Sequence, residues 1–97
     1  MKKFAFILMG KDYTKEHTAT FETGVKVTYI CTVNSYEEAK KKVLELKENG
    51  VKAIELCGAF GKEKADELIE LTNNEIAIGY VVHNKEQDQL FMNFFGN

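Results

Sequence analysis

Proline is absent from the chain, and so are internal repeats and low-complexity tracts, so no segment reads as a linker between units. Basic residues are not in excess either: 13 Lys and Arg stand against 15 Asp and Glu, a formal charge of −2. Nucleic-acid binding driven by counterion release needs a concentrated basic surface, which this composition does not supply. Cysteine is scarce. Cys31 and Cys57 lie far apart without a CxxC or Cys/His cluster, which argues against a zinc site or a disulfide framework and for free thiols in a cytoplasmic protein. Long apolar runs are missing as well. Phe4 to Met9 gives way to Gly10 and Lys11, too soon for a secretory signal or a membrane span despite the two preceding lysines.

What is present is ordinary globular composition, 44% apolar and 29% charged in 97 residues. A chain of this size buries roughly two-thirds of its unfolded surface around one core, so residues 1–97 are expected to form a single domain. Phe4 to Met9 reads as a strand covered on both faces. The polar stretch from Gly10 to Gly24 reads as a long loop, with room for a short strand near Thr20. Val25 to Val33, VKVTYICTV, is β-branched and aromatic and makes the second strand.

Ser35 followed by Glu38 is a capping-box pattern, in which the hydroxyl accepts from an orphan amide and the glutamate reaches back. It opens a helix with Tyr36, Ala39, Val43 and Leu46 inward, stopped by Asn49-Gly50. Val51 to Cys57 is the third strand, and Gly61 leads into a second helix with Ala65, Leu68 and Ile69 inward, ending at Thr72-Asn73-Asn74. Ile76 to Val82 is the fourth strand. Asn84 and Gln87 are expected to cap a last helix whose inner face is Leu90, Phe91, Phe94 and Phe95. The order β-β-α-β-α-β-α predicts an α/β fold: a small, mainly parallel four-stranded sheet with right-handed βαβ crossovers and three helices.

Ligands of such sheets bind beyond the carboxyl ends of the strands, which directs attention to IELCGAFG, residues 54–61. Gly58, Ala59, Phe60 and Gly61 form a candidate ligand-binding loop, because glycines allow close backbone approach and the following helix N-terminus favours an anion. The loop has no Walker lysine and does not complete GxGxxG. His83 ends the fourth strand; on a strand adjacent to the third it reaches the same edge as Cys57, and a thiol beside an imidazole is an activated nucleophile. Glu55, Cys57 and His83 are therefore the candidate catalytic groups. Alternation puts Ala53, Glu55 and Cys57 on one face, and Gly79 opposite Glu55 leaves space. No metal-ligand set is present and no motif specifies a cofactor. The structural alternatives are an inert buried Cys57, a tight turn at the glycines, and a Glu55–Lys26 ion pair. The Gly10–Gly24 loop is a candidate lid.

MKKFAFILMG, ATFET, IELCGAFG, and IAIGYVVH followed by EQD together resemble a family of small uncharacterised bacterial proteins that carry an ELCG-x-FG motif and are classed as a domain of unknown function. The resemblance spans nearly the whole chain. It implies a stand-alone prokaryotic α/β protein and carries no established activity or site.

Three functions stay open at this point. The first is binding of a small anion or carbonyl compound over Gly58 to Gly61. The second is a small cytoplasmic enzyme with Cys57 as nucleophile or Glu55 as acid/base and His83 as partner. The third is a structural or interaction protein that forms a homodimer through Phe91, Phe94 and Phe95 or an edge strand. The expected partners are thus a small-molecule ligand and a second copy of the chain, with no nucleic acid and no membrane.

Overall fold

In the computed structural model, which describes residues 1–96, the elements run β1 (Lys2–Met9), β2 (Thr18–Glu22), β3 (Lys26–Val33), α1 (Tyr36–Glu48), β4 (Ala53–Leu56), α2 (Gly61–Leu71), β5 (Ala77–Tyr80), a 3-10 turn (Lys85–Gln87) and α3 (Asp88–Phe95). Asn97, the last residue of the expected domain, lies outside the described residues. The sheet order is β2-β3-β1-β4-β5. β1, β3, β4 and β5 are parallel, and β2 is antiparallel to β3.

The α/β class holds, and the strand count is corrected from four to five. The added strand is β2, the short strand for which the sequence leaves room near Thr20, and it folds along β3 as the outer arm of a hairpin. Thr23 sets its turn, the hydroxyl oxygen accepting from the amides of Val25 at 3.2 Å and Lys26 at 3.0 Å.

Local signals place both crossover helices. The Ser35 hydroxyl accepts from the Glu38 amide at 3.2 Å, while the Glu38 carboxylate accepts from the Asn34 amide at 3.0 Å. α1 ends where Gly50 takes a left-handed φ of +89°, and α2 ends at Asn73 and Asn74, both also left-handed. Connections β3–α1–β4 and β4–α2–β5 step the same way across the sheet, so right-handed crossovers put α1 and α2 on one face. The Tyr36 hydroxyl ties the two helices together by donating to Glu67 Oε1 at 2.8 Å.

Ala5, Ile7, Cys31, Val33, Ile54 and Leu56 point to that face and form the core with Ala39, Val43, Leu46, Ala65 and Leu68; Ile69 is half-buried. The alternate residues, Phe4, Phe6, Leu8 and Ile30, point away from the helices and are only half-buried. β1 is thus covered on one face rather than on both.

The last helix departs furthest from expectation. Leu90, Phe91, Phe94 and Phe95 are exposed, and no residue of α3 is buried. The physical reason is its attachment: α3 follows the edge strand β5 through Val81–Asn84, which has no regular structure, and among the described residues no further strand draws it back across the sheet. Asn84 makes no side-chain cap, and the helix is entered through the 3-10 turn instead.

Burial pushes the Cys31 thiol from 9.0 up to about 11. Burial and the hydrogen bond to Glu67 push the Tyr36 phenol from 10.0 up to about 12. The folded state holds both protons more tightly than the unfolded chain does. This contribution to stability is therefore complete below about pH 9 and lost as pH rises through about 11 and 12. Cys31→Ala should lower the urea midpoint at neutral pH and flatten its decline between pH 9 and 11 relative to the wild type. An equal decline in both proteins would remove Cys31 as a cause.

Candidate functional site

The GAFG segment is built as a turn. The Cys57 amide donates to the Ile7 carbonyl at 3.0 Å, and the Phe60 amide donates to the Cys57 carbonyl at 3.1 Å, closing four residues. Phe60 is buried in the core, and Gly61 has a φ of +76°, which disfavours any side chain. At Gly58 an added Cβ would meet the Val81 carbonyl oxygen at 3.6 Å, an ordinary contact. Phe60, a candidate ligand residue, is therefore an anchor. The amides that open α2 receive no side-chain cap, so they retain the capacity to donate outward.

Cys57 and His83 are each engaged elsewhere. The Cys57 sulfur accepts from the Met9 amide at 3.3 Å and packs against the helix-side core. Alternation had put Cys57 on the face of Glu55, but the ladder stops at Leu56 and the alternation stops with it. His83 Nε2 lies 2.6 Å from Asp88 Oδ1, and its ring stacks on Phe91 with centroids 4.1 Å apart. Among the described residues no hydrogen bond joins the thiol to the imidazole.

Glu55 stands apart from both. It is exposed on the helix-free face, in register with Phe6 of β1 and Gly79 of β5. Its carboxylate lies over the bare backbone of Gly79, where an added Cβ would fall 2.5 Å from Oε1. Among the described residues it makes no salt bridge. Lys26, the partner weighed from sequence, pairs in register with Lys2 rather than near Phe6, and its ammonium lies 5.9 Å from the Phe4 ring centroid. A lone carboxylate on an apolar sheet face can accept a cation or a hydrogen-bond donor.

A second region lies on the other side of β1. The segment after β1 is tied to β3 by the His17 amide donating to Thr32 Oγ1 at 2.8 Å, and to α1 by Lys42, whose ammonium bridges Glu16 at 2.8 Å and Glu45 at 2.6 Å. Burial works against the Lys42 charge, but the two carboxylates outweigh it and hold the ammonium above its ordinary range. A cleft of about 240 Å³ is lined here by Tyr13, Lys15, Thr32 and Lys41. It adjoins a groove of about 270 Å³ between β2 and α1. The Gly10–Gly24 segment thus packs along β3 and α1, across β1 from the GAFG turn. The convergence of Lys42 with Glu16 carries no local signal in the sequence.

Among the described residues, no group of three or more His, Cys, Asp or Glu side chains gathers to hold a metal ion, and no helix is long and apolar enough to cross a membrane.

Fold and site together define a small α/β protein with a mixed five-stranded sheet, two helices on one face and an acidic group exposed on the other. Over residues 2–96 the chain belongs to a family of unknown function, DUF6506. No curated protein matches it.

If the turn is structural, Phe60→Ala should cost about 3–5 kcal/mol and Gly61→Ala about 1–2 kcal/mol in urea unfolding, whereas exposed Ala59→Ser should change little. Equal, small effects at all three positions would contradict the anchoring role of Phe60.

Proposed function

We propose that this protein binds a small molecule on the helix-free face of its sheet, near the carboxyl edge, with Glu55 as the polar anchor. The observation that carries this is the unpaired Glu55 carboxylate resting over Gly79 on a face that also carries Phe4, Phe6, Leu8 and Ile30, with the Lys26 ammonium over the Phe4 ring. A ligand suited to it has an apolar body and a cationic or hydrogen-bond-donating group, since a carboxylate covered by a ligand must be paired. Gly79 acts as a positioning residue, because any side chain there displaces the Glu55 carboxylate. Free thiols at Cys31 and Cys57 support a reducing, cytoplasmic setting. Catalysis draws support from the His83–Asp88 pair alone, since the hydrogen-bond partner of Cys57 is a backbone amide.

The test uses 2-phenylethylamine as probe and two-dimensional amide NMR as readout. Saturable shifts are expected at Phe6, Glu55 and Gly79, weakened about tenfold or more in Glu55→Gln and reduced in Gly79→Ala, with unfolding midpoints near wild type. Shifts of equal size in Glu55→Gln, or none in the wild type, would reject Glu55 as the anchor.

A further inference from the structure

Among the described residues two apolar surfaces lack a partner, and they are of complementary kinds. One is the sheet face carrying Phe4, Phe6, Leu8 and Ile30, extended by Phe21 on β2, which is 56% exposed. Sheets dominated by parallel strands are normally covered on both faces. The other is α3, an eight-residue helix on which Leu90, Phe91, Phe94 and Phe95 are 62%, 41%, 80% and 74% exposed. The three phenylalanines are mutually ordered: Phe91 stacks parallel to Phe95 at 6.2 Å, and Phe94 meets Phe95 edge-on at 4.8 Å. They form a preassembled aromatic surface with water on its outer side.

We infer that α3 docks on the helix-free sheet face of a second copy of the same chain, in a two-fold dimer in which each protomer covers the other's sheet. Each chain has one uncovered face and one uncovered helix, so an isologous pair satisfies both at once. The areas agree with this. At about 200 Å² for a whole aromatic side chain, α3 and Phe21 expose on the order of 600 Å² of apolar side chain per protomer. Two protomers supply about 1,200 Å² before the half-buried Phe4, Phe6, Leu8 and Ile30 are added, which is the lower end of the range for specific, stable interfaces. The inference rests on these two apolar surfaces and does not require a ligand at Glu55.

Sedimentation equilibrium of the full chain without ligand, at micromolar concentration, tests it. The expected mass is twice 11.0 kDa. Phe94→Glu and Phe21→Lys should each give a monomer with unchanged far-ultraviolet circular dichroism. An equimolar mixture of the two should recover a heterodimer, because an intact helix and an intact face are then available on different chains. A wild-type monomer overturns the inference, as does a dimer that survives either substitution. Loss of the dimer in Phe94→Glu but not in Phe21→Lys would mean that helix packs on helix. Should either variant unfold, the wild type still decides. In a mixture of isotope-labelled and unlabelled chains, nuclear Overhauser contacts from the Phe94 ring to Ile30 or Leu8 methyls must cross between molecules, and contacts confined within one molecule overturn it. Failure of 2-phenylethylamine to bind leaves these results unaffected.

Discussion

β1 is hydrogen-bonded on both of its edges, to β3 along its whole length and to β4 from Phe4 to Ile7, and the remaining elements take their positions from it. Ala5 and Ile7 are fully buried beneath the helices, so the strand cannot shift by one residue without moving Phe4 and Phe6 into the core. The same strand holds the candidate site. Its Lys3 carbonyl accepts from Lys52 before β4, its Ile7 carbonyl accepts from Cys57 after β4, and its Met9 amide donates to the Cys57 sulfur. The GAFG turn is thereby fixed at both ends of the strand that precedes it, and Phe60 is delivered into the core. Glu55, between those two points, is held on the opposite face in register with Phe6.

Features that depend on neighbours in the chain were legible in the sequence. Ser35 and Glu38 cap α1 with the residue types that local hydrogen bonding requires, and Gly50 ends it because the left-handed conformation there is cheap only for glycine. Ala39, Val43, Leu46, Ala65 and Leu68 follow the helical period and are buried. β2 was harder to see, because its pairing with β3 depends on a turn at Thr23 and on an edge position that tolerates a polar, threonine-rich strand. The face of Cys57 was misplaced for a related reason: alternation is a property of a paired ladder, and pairing ends one residue earlier. At α3 the period was present, but amphipathicity shows only that a stripe must be covered and not which surface covers it. The Lys42–Glu16 pair joins residues 26 apart in sequence, a proximity created by the hairpin.

The fold therefore divides into a finished side and an unfinished one. On the finished side, α1 and α2 bury the core, and the Tyr36–Glu67 bond and Lys42 with its two carboxylates lace the edges. On the other side, aromatic and aliphatic groups lie half-covered with Glu55 among them. A surface built this way gains more from being covered than a mixed polar surface does, since each apolar Å² removed from water contributes about 25 cal/mol.

Glu55 limits how that covering can occur. A second copy seated over the face removes water from the carboxylate, and a carboxylate left unpaired in an apolar setting opposes association. The conflict is relieved when the carboxylate lies at the rim of the contact or when a cation or donor accompanies it. A ligand whose apolar body lies on Phe4, Phe6 and Leu8 instead takes surface that α3 of a second copy would cover, and by linkage it must weaken association by the factor by which association weakens its binding. Self-association and ligand binding then become two measurements of one coupling, joined on the face that carries Glu55 and made possible by the missing side chain of Gly79, which lets the carboxylate lie flat on the sheet.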